Sequence, residues 1–147
     1  MDSFWPVNFE AANLKTPKEI LEGQMAILPK LTKNLVYADL EELNEVQKIK
    51  ILPNGFQYSF VIRGNYLENY KFKVFSMSHD IIFYPVSVFL DNDIKTELEM
   101  SHLSMVERLH SEEEFTTFLK KVLKSKKVST VIGSIIKLSP TIGSILD

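Results

Sequence analysis

The sequence predicts an α+β fold: an antiparallel sheet of four to six strands, with one N-terminal helix and two C-terminal helices packed mainly on one face. Three observations carry that prediction. Residues 56–90 hold three successive runs rich in aromatic and β-branched side chains, broken by RGNYLEN and SMSHD, the composition of adjacent strands. Residues 16–31 and 111–138 repeat apolar side chains at helical spacing behind clear start signals. Strands and helices also fall in separate runs, which favours α+β over α/β.

A chain of 147 residues fits one domain of the usual roughly 100–200 residues. We expect a single α+β domain over 1–147, with an extended N-terminal arm over 1–15 and an apolar C-terminal tail over 140–147. Hydrophobic content of 45% and charged content of 24% are globular values, and the net charge of −2 exerts no overall pull toward nucleic acid or an anionic membrane. The chain has no cysteine, which excludes disulfides, thiolate metal sites and cysteine nucleophiles and suits a reducing compartment. The first residues lack a basic segment followed by an apolar core, and no apolar run approaches the ~20 residues of a membrane span. The expectation is a soluble, cytoplasmic protein without membrane insertion.

The arm carries Phe4, Trp5, Val7, Phe9 and Leu14 without a helical or strand period. It either lies on the domain or grips a partner. Thr16-Pro17-Lys18-Glu19 starts a helix: Thr16 caps, Pro17 sits where its missing N–H costs nothing, and Glu19 completes a capping box. Ile20, Leu21, Gln24, Ile27, Leu28 and Leu31 follow at helical spacing, and Pro29 ends or kinks the helix of roughly three turns. Residues 33–43 are the next candidate strand. Residues 46–52 (VQKIKIL) alternate as a strand with one wet side, and Pro53-Asn54-Gly55 predicts a type I′ hairpin into the following strand.

Phe56, Tyr58, Phe60 and Ile62 share one strand face, opposite Gln57, Ser59, Val61 and Arg63. Tyr70, Phe72 and Val74 share another, opposite Lys71, Lys73 and Phe75. Residues 76–80 read as a turn, and 81–90 as a central strand to which Pro85 objects, because proline cannot donate to a ladder. Residues 91–110 do not settle between helix and strand, apart from a short strand expected within 105–109. Ser111-Glu112-Glu113-Glu114 reads as a full capping box for a helix through Phe115, Phe118, Leu119, Val122 and Leu123. Ser125 caps a second helix through Val128, Val131, Ile132, Ile135 and Ile136, which Pro140 stops. The segment 132–136 (IGSII) recurs as 142–146 (IGSIL). Two copies are too few for a repeat architecture.

Candidate sites are few. Ser78-His79-Asp80 aligns three catalytic residue types, but neighbours on a strand point to opposite faces and cannot relay protons among themselves. If the stretch is functional, His79 is the base or ligand, with Asp80 or carboxylates from other strands. His79, His102 and His110 lack metal-pair spacing, and Asp39, Glu41, Glu42 and Glu45 match no cation loop. The 5 glycines are scattered, so no phosphate loop and no cofactor is expected. Lys120, Lys121, Lys124, Lys126 and Lys127 form a basic cluster that is either a phosphate contact or a solvated helix end. The mixed sheet face bearing Gln57, Arg63, Lys71 and Lys73 is the first place to look for a binding surface, and Lys120, Lys121 and Lys124 are further candidates.

The leading functional expectation is a non-catalytic interaction protein, such as an accessory, immunity or adaptor module, with a protein partner or self-association. The rival is a small-ligand protein or enzyme using His79. Nucleic-acid binding through the lysine cluster ranks third, because no aromatic residue is interleaved with those lysines.

Overall fold

A computed structural model describes residues 1–100 and 104–140. The helix predicted at Thr16 forms as α1 (Pro17–Leu31). The Thr16 side chain accepts from the Glu19 N–H at 3.0 Å and the Glu19 carboxylate accepts from the Thr16 N–H at 3.2 Å, satisfying two donors at the helix end. Pro29 lies inside the helix, which ends two residues later. Only Leu21 of the apolar stripe is fully buried, with Ile20, Met25 and Leu28 partly covered. Ile27 and Leu31 stay exposed, contrary to the predicted face. The buried Thr32 hydroxyl then bonds Leu28 O, Val36 O and Val36 N–H, tying the helix end to the first strand.

The described strands form one antiparallel sheet in sequence order: β1 (Val36–Glu42), β2 (Phe56–Gly64), β3 (Leu67–His79), β4 (Val86–Leu90) and β5 (Glu107–Leu109). The fold is α+β, as predicted. Tyr58, Phe60 and Ile62 face the helices, as the alternation requires. In β3 the alternation breaks: Phe60 pairs with Phe75, but Val61 pairs with Lys73, so Val74 is the extra residue of a β-bulge. The bulge shifts the side-chain phase. Phe75, predicted to share a face with Lys71 and Lys73, therefore joins Phe72 and Met77 on the helix side.

Four predicted elements take other forms. Residues 46–52 are not a strand, and Asn54-Gly55 does not turn a hairpin. Asn44 Oδ1 instead accepts from the Val46 and Gln47 N–H groups at 3.0 Å, using donors that a strand would need. Gly55 serves the close start of β2: its φ is +149°, and a Cβ would lie 2.5 Å from the His79 carbonyl oxygen. The predicted turn at 76–80 is strand, since β3 runs to His79. Residues 81–85 are loop, with a cis Tyr84-Pro85 bond, so β4 begins only at Val86.

The undecided region resolves into α2 (Asn92–Glu97), capped by Asp91, and β5. Two helices follow, α3 (Glu112–Leu123) and α4 (Lys126–Leu138), capped by Ser111 and Ser125. Glu114 does not close the expected box on Ser111; its carboxylate accepts from the His110 N–H. Phe115, Phe118, Leu119, Val122, Val128 and Ile135 complete one core with the sheet. Phe75 stacks on Phe60 at 5.4 Å and meets Phe118 edge-on at 6.1 Å. A Cβ on Gly64 would come within 2.7 Å of Ile135 Cγ2, so α4 sits on β2 only because position 64 is glycine. Among the described residues no helix is long and apolar enough to cross a membrane. The predicted apolar tail, apart from Pro140, lies outside the described residues, as does His102.

The second sheet face is not left open throughout. Residues 43–55 fold over it, held by the side chain of Gln57. That amide accepts from the Ile49 N–H at 2.8 Å and donates to the Ile49 and Pro53 carbonyls at 3.2 and 3.4 Å. The Ser78 hydroxyl also donates to the Pro53 carbonyl at 2.6 Å. Ser59 and Ser76 bond each other beneath the cover at 2.8 Å. Gln57 was expected on an exposed binding face; it is 2% exposed.

A candidate interaction surface at the arm end of the sheet

The N-terminal arm does not lie on the domain. Its root does: the Lys15 N–H donates to Glu112 Oε1 at 3.2 Å, and the Lys15 carbonyl accepts from the Tyr84 hydroxyl at 3.1 Å. Just before it the chain makes a tight turn, with Ala12 N–H to Phe9 O, Leu14 N–H to Ala11 O, and Ala11 at φ 69°. The aromatic side chains of the arm are largely exposed. Phe4 is 95% exposed and Trp5 79%, and Val7 and Phe9 are exposed beside them.

Facing the arm root is the 80–85 loop. Asp80 Oδ1 accepts from the Ile81 N–H at 2.7 Å and starts the loop. Ile81 and Ile82 stand out of it, each 73% exposed. Between them and the arm root lies an open cleft of about 790 Å³. Ala11, Ala12 and Leu14 line it from the arm root and Ile81, Ile82 and Phe83 from the loop, and Glu10, Glu112 and Glu113 line it too.

Burial pushes the Tyr84 hydroxyl up to about 12, and the charges of Glu112 and Glu19 add to that rise. The folded-state pKa exceeds the ordinary value of 10.0, so the folded chain holds the phenolic proton more tightly than the unfolded chain. The associated stability is present in full below pH 10 and is lost as pH rises to about 12. Tyr84→Phe should cost about 1 kcal/mol at neutral pH and abolish that alkaline weakening, read from urea midpoints at neutral pH and at about pH 11.

His79, on the helix side at the end of β3, lies among Phe56, Tyr58 and Phe83, with ring centroids 5.5, 6.0 and 6.4 Å away. Its Nδ1 is 2.7 Å from the Asp80 carbonyl oxygen, and since a carbonyl can only accept, Nδ1 is the donor there. Ser78 points to the opposite face and Asp80 caps Ile81. The three side chains serve three separate structural partners, and no relay forms among them. A cavity of about 350 Å³ beside them is lined by Ser78, His79, Asp80 and Arg108 together with Ile82 and Pro85.

On the second sheet face, Arg63 and Lys71 both hold Glu41, at 3.0 and 3.1 Å. Partial burial pushes the Glu41 carboxyl up, but the hydrogen bonds and charges of Lys71 and Arg63 outweigh it and hold the pKa below its ordinary 4.5. The pair's stabilisation is present above that ordinary value and is lost as pH falls through the lower folded one. Glu41→Gln should cost about 1 kcal/mol at neutral pH and nothing in acid, compared by chemical denaturation at both pH values. Lys73 is exposed beside this triad, at a shallow recess of about 330 Å³. Of the remaining acidic candidates, Asp39 accepts from the Leu40 N–H and Glu45 pairs with Lys48. Among the described residues no group of three or more metal-ligating side chains converges.

Lys120, Lys121 and Lys124 are exposed at the end of α3. The start of α4 is already occupied by an internal anion: the Glu97 carboxylate accepts from the Lys126 and Lys127 N–H groups at 2.7 and 3.0 Å. Asp93 holds the Lys127 ammonium at 2.7 Å, which, with the hydrogen bond as main cause, raises its pKa, and that ammonium also lies 5.6 Å from the Phe72 ring centroid. Asp93 and Glu97 thus place two carboxylates within the basic cluster.

Sequence reasoning missed Ile81 and Ile82, which it assigned to a buried strand. The signal was present in Asp80, a frequent loop starter, and Pro85, a residue that a central strand rejects. It also missed Lys95, which is buried and donates to the Ser104 carbonyl, with Glu107 Oε1 at 3.9 Å. No protein family, curated protein or solved structure matches this chain.

Proposed function

We propose that this chain is a non-catalytic protein-binding module of the accessory, immunity or adaptor kind, and that its contact surface is the arm end of the sheet. One observation carries the reading. The arm exposes Phe4, Trp5, Val7 and Phe9, and the loop exposes Ile81 and Ile82 at a cleft that the arm root also lines. Exposed apolar residues are ordinary when scattered, but a rimmed group is the mark of a surface that another chain covers. Trp and Phe are also the side chains that most enrich interface centres.

The other readings have less support. His79 is engaged with Asp80 and three aromatic rings, without a carboxylate bonded to it. In the lysine cluster, Glu97 and Asp93 already take up the amides and one ammonium. A chain without cysteine suits the reducing cytoplasm, and we assign it there.

The test is quantitative cross-linking of the purified chain in extract, comparing wild type with Ile81→Gln/Ile82→Gln. Loss of the cross-linked species in this variant, with retention in Lys121→Glu/Lys124→Glu, is the expected result. Cross-links that ignore the isoleucines, or turnover on a substrate panel that requires His79, would replace the proposal with one of its rivals.

A further inference from the structure

We infer that the occupant of the cleft is the N-terminal arm of a second copy of this chain, exchanged reciprocally in a two-fold dimer. The inference rests on the arm-end surface being an interaction site, and adds what it binds. Residues 3–9, SFWPVNF, carry no charge. They can therefore lie beside Glu10, Glu112 and Glu113, which line the cleft, without the repulsion that an acidic segment would meet. The cleft walls are apolar and open, and the aromatic side chains that would fill them project from the same molecule without a place on it.

Return of the arm into its own cleft is disfavoured by the turn over residues 9–14, which forms one wall of that cleft and would have to open. Reach is not limiting, because seven extended residues span about 24 Å. Nor is area: Phe4, Trp5 and Phe9 bury about 600 Å² per arm at about 200 Å² each. Two arms together bury about 1,200 Å², which already reaches the lower end of a standard specific interface. Reciprocal exchange closes the assembly, which leaves no free arm and no empty cleft.

Trp5 is the only tryptophan, so its fluorescence reports the arm alone. Light scattering across a concentration series should give twice the 16.9 kDa monomer mass, with Trp5 emission shifting to the blue as dimer forms. Phe4→Ala/Trp5→Ala and Ile81→Gln/Ile82→Gln should each weaken dimerisation at least about tenfold. These positions are exposed, so neither variant should lose its fold, which circular dichroism checks. Mixing the two variants restores one intact arm in one intact cleft, and a heterodimer should appear that neither forms alone. A monomer at every concentration with solvent-exposed Trp5 overturns the exchange and leaves the surface to a different protein. A monomer with buried, concentration-independent Trp5 shows the arm folded home and overturns the exchange together with the exposed surface. A dimer indifferent to both variants places self-association elsewhere and equally overturns it.

Discussion

Phe75→Ala should unfold more readily than wild type by about 3–5 kcal/mol, the largest loss expected of any single truncation here. Phe75 is 1% exposed, stacks on Phe60 within the sheet and touches Phe118 of α3 edge-on. It therefore joins the two layers, and neither can close over the void without moving the other. Removing the ring forfeits its transfer energy, leaves a cavity and breaks two aromatic contacts of about 0.5–1.5 kcal/mol each. The midpoint of thermal unfolding should fall by roughly 10 °C or more. Phe75→Leu should recover more than half of the loss, because it restores volume. An alanine variant within 1 kcal/mol of wild type would show that the bulge at Val74 does not aim this ring at the helices.

The second large effect is expected at Gln57. Gln57→Leu retains bulk but strips partners from the Ile49 N–H and C=O, while Pro53 keeps the Ser78 hydroxyl. A fully buried backbone group left alone costs about 1–3 kcal/mol. The two Ile49 groups are only partly buried, which places the expected loss in the lower part of the summed range, at about 2–4 kcal/mol. Hydrogen exchange distinguishes this from a core defect. The Ile49 amide and its neighbours in 43–55 should lose protection, while β3 and α3 keep theirs relative to the new global stability. Gln57→Glu adds a control with a defined sign. Desolvation and two facing carbonyls raise the folded carboxyl pKa, so this variant should be most stable in acid and lose stability as pH rises. Unchanged Ile49 protection in Gln57→Leu would remove Gln57 as the anchor.

Both predictions sit where local pattern and tertiary structure part. The alternation in 56–62 was enough to orient Tyr58, Phe60 and Ile62, because a period of two holds while a ladder is regular. It misassigned Phe75 because one unpaired residue at Val74 inverts every side chain after it. Likewise VQKIKIL has strand-like alternation, but Asn44 captures its first donors and Gln57, eight residues ahead of Ile49, captures another. Such competitors lie outside the window in which periodicity is read.

The candidate site was legible in composition but not in place. Phe4, Trp5 and Phe9 stood out as an arm without a period. Their partner surface at Ile81 and Ile82 was hidden in an apolar run that reads as strand. Arg63 and Lys71 were named together on the correct face, but their shared carboxylate, Glu41, comes from a strand 22 and 30 residues away. The lysine cluster was visible as charge. The carboxylates that hold the Lys127 ammonium and the first α4 amides, Asp93 and Glu97, came from α2, an element the sequence left undecided.

What the sequence alone determined is the set of elements whose cause is local. The Thr16 box, the Ser111 and Ser125 caps, the helical stripes and the strand runs yield an α+β sheet-and-helix architecture, since capping and side-chain period act over a few residues. Tertiary structure decided everything that depends on which groups meet across the chain. It set the phase of β3, closed 43–55 over the second face through Gln57, and filled the anion site of α4 with Glu97. It also turned Ile81 and Ile82 outward beside an uncovered arm. Buried polar groups must find partners wherever the fold places them, and apolar groups left over must find theirs outside it.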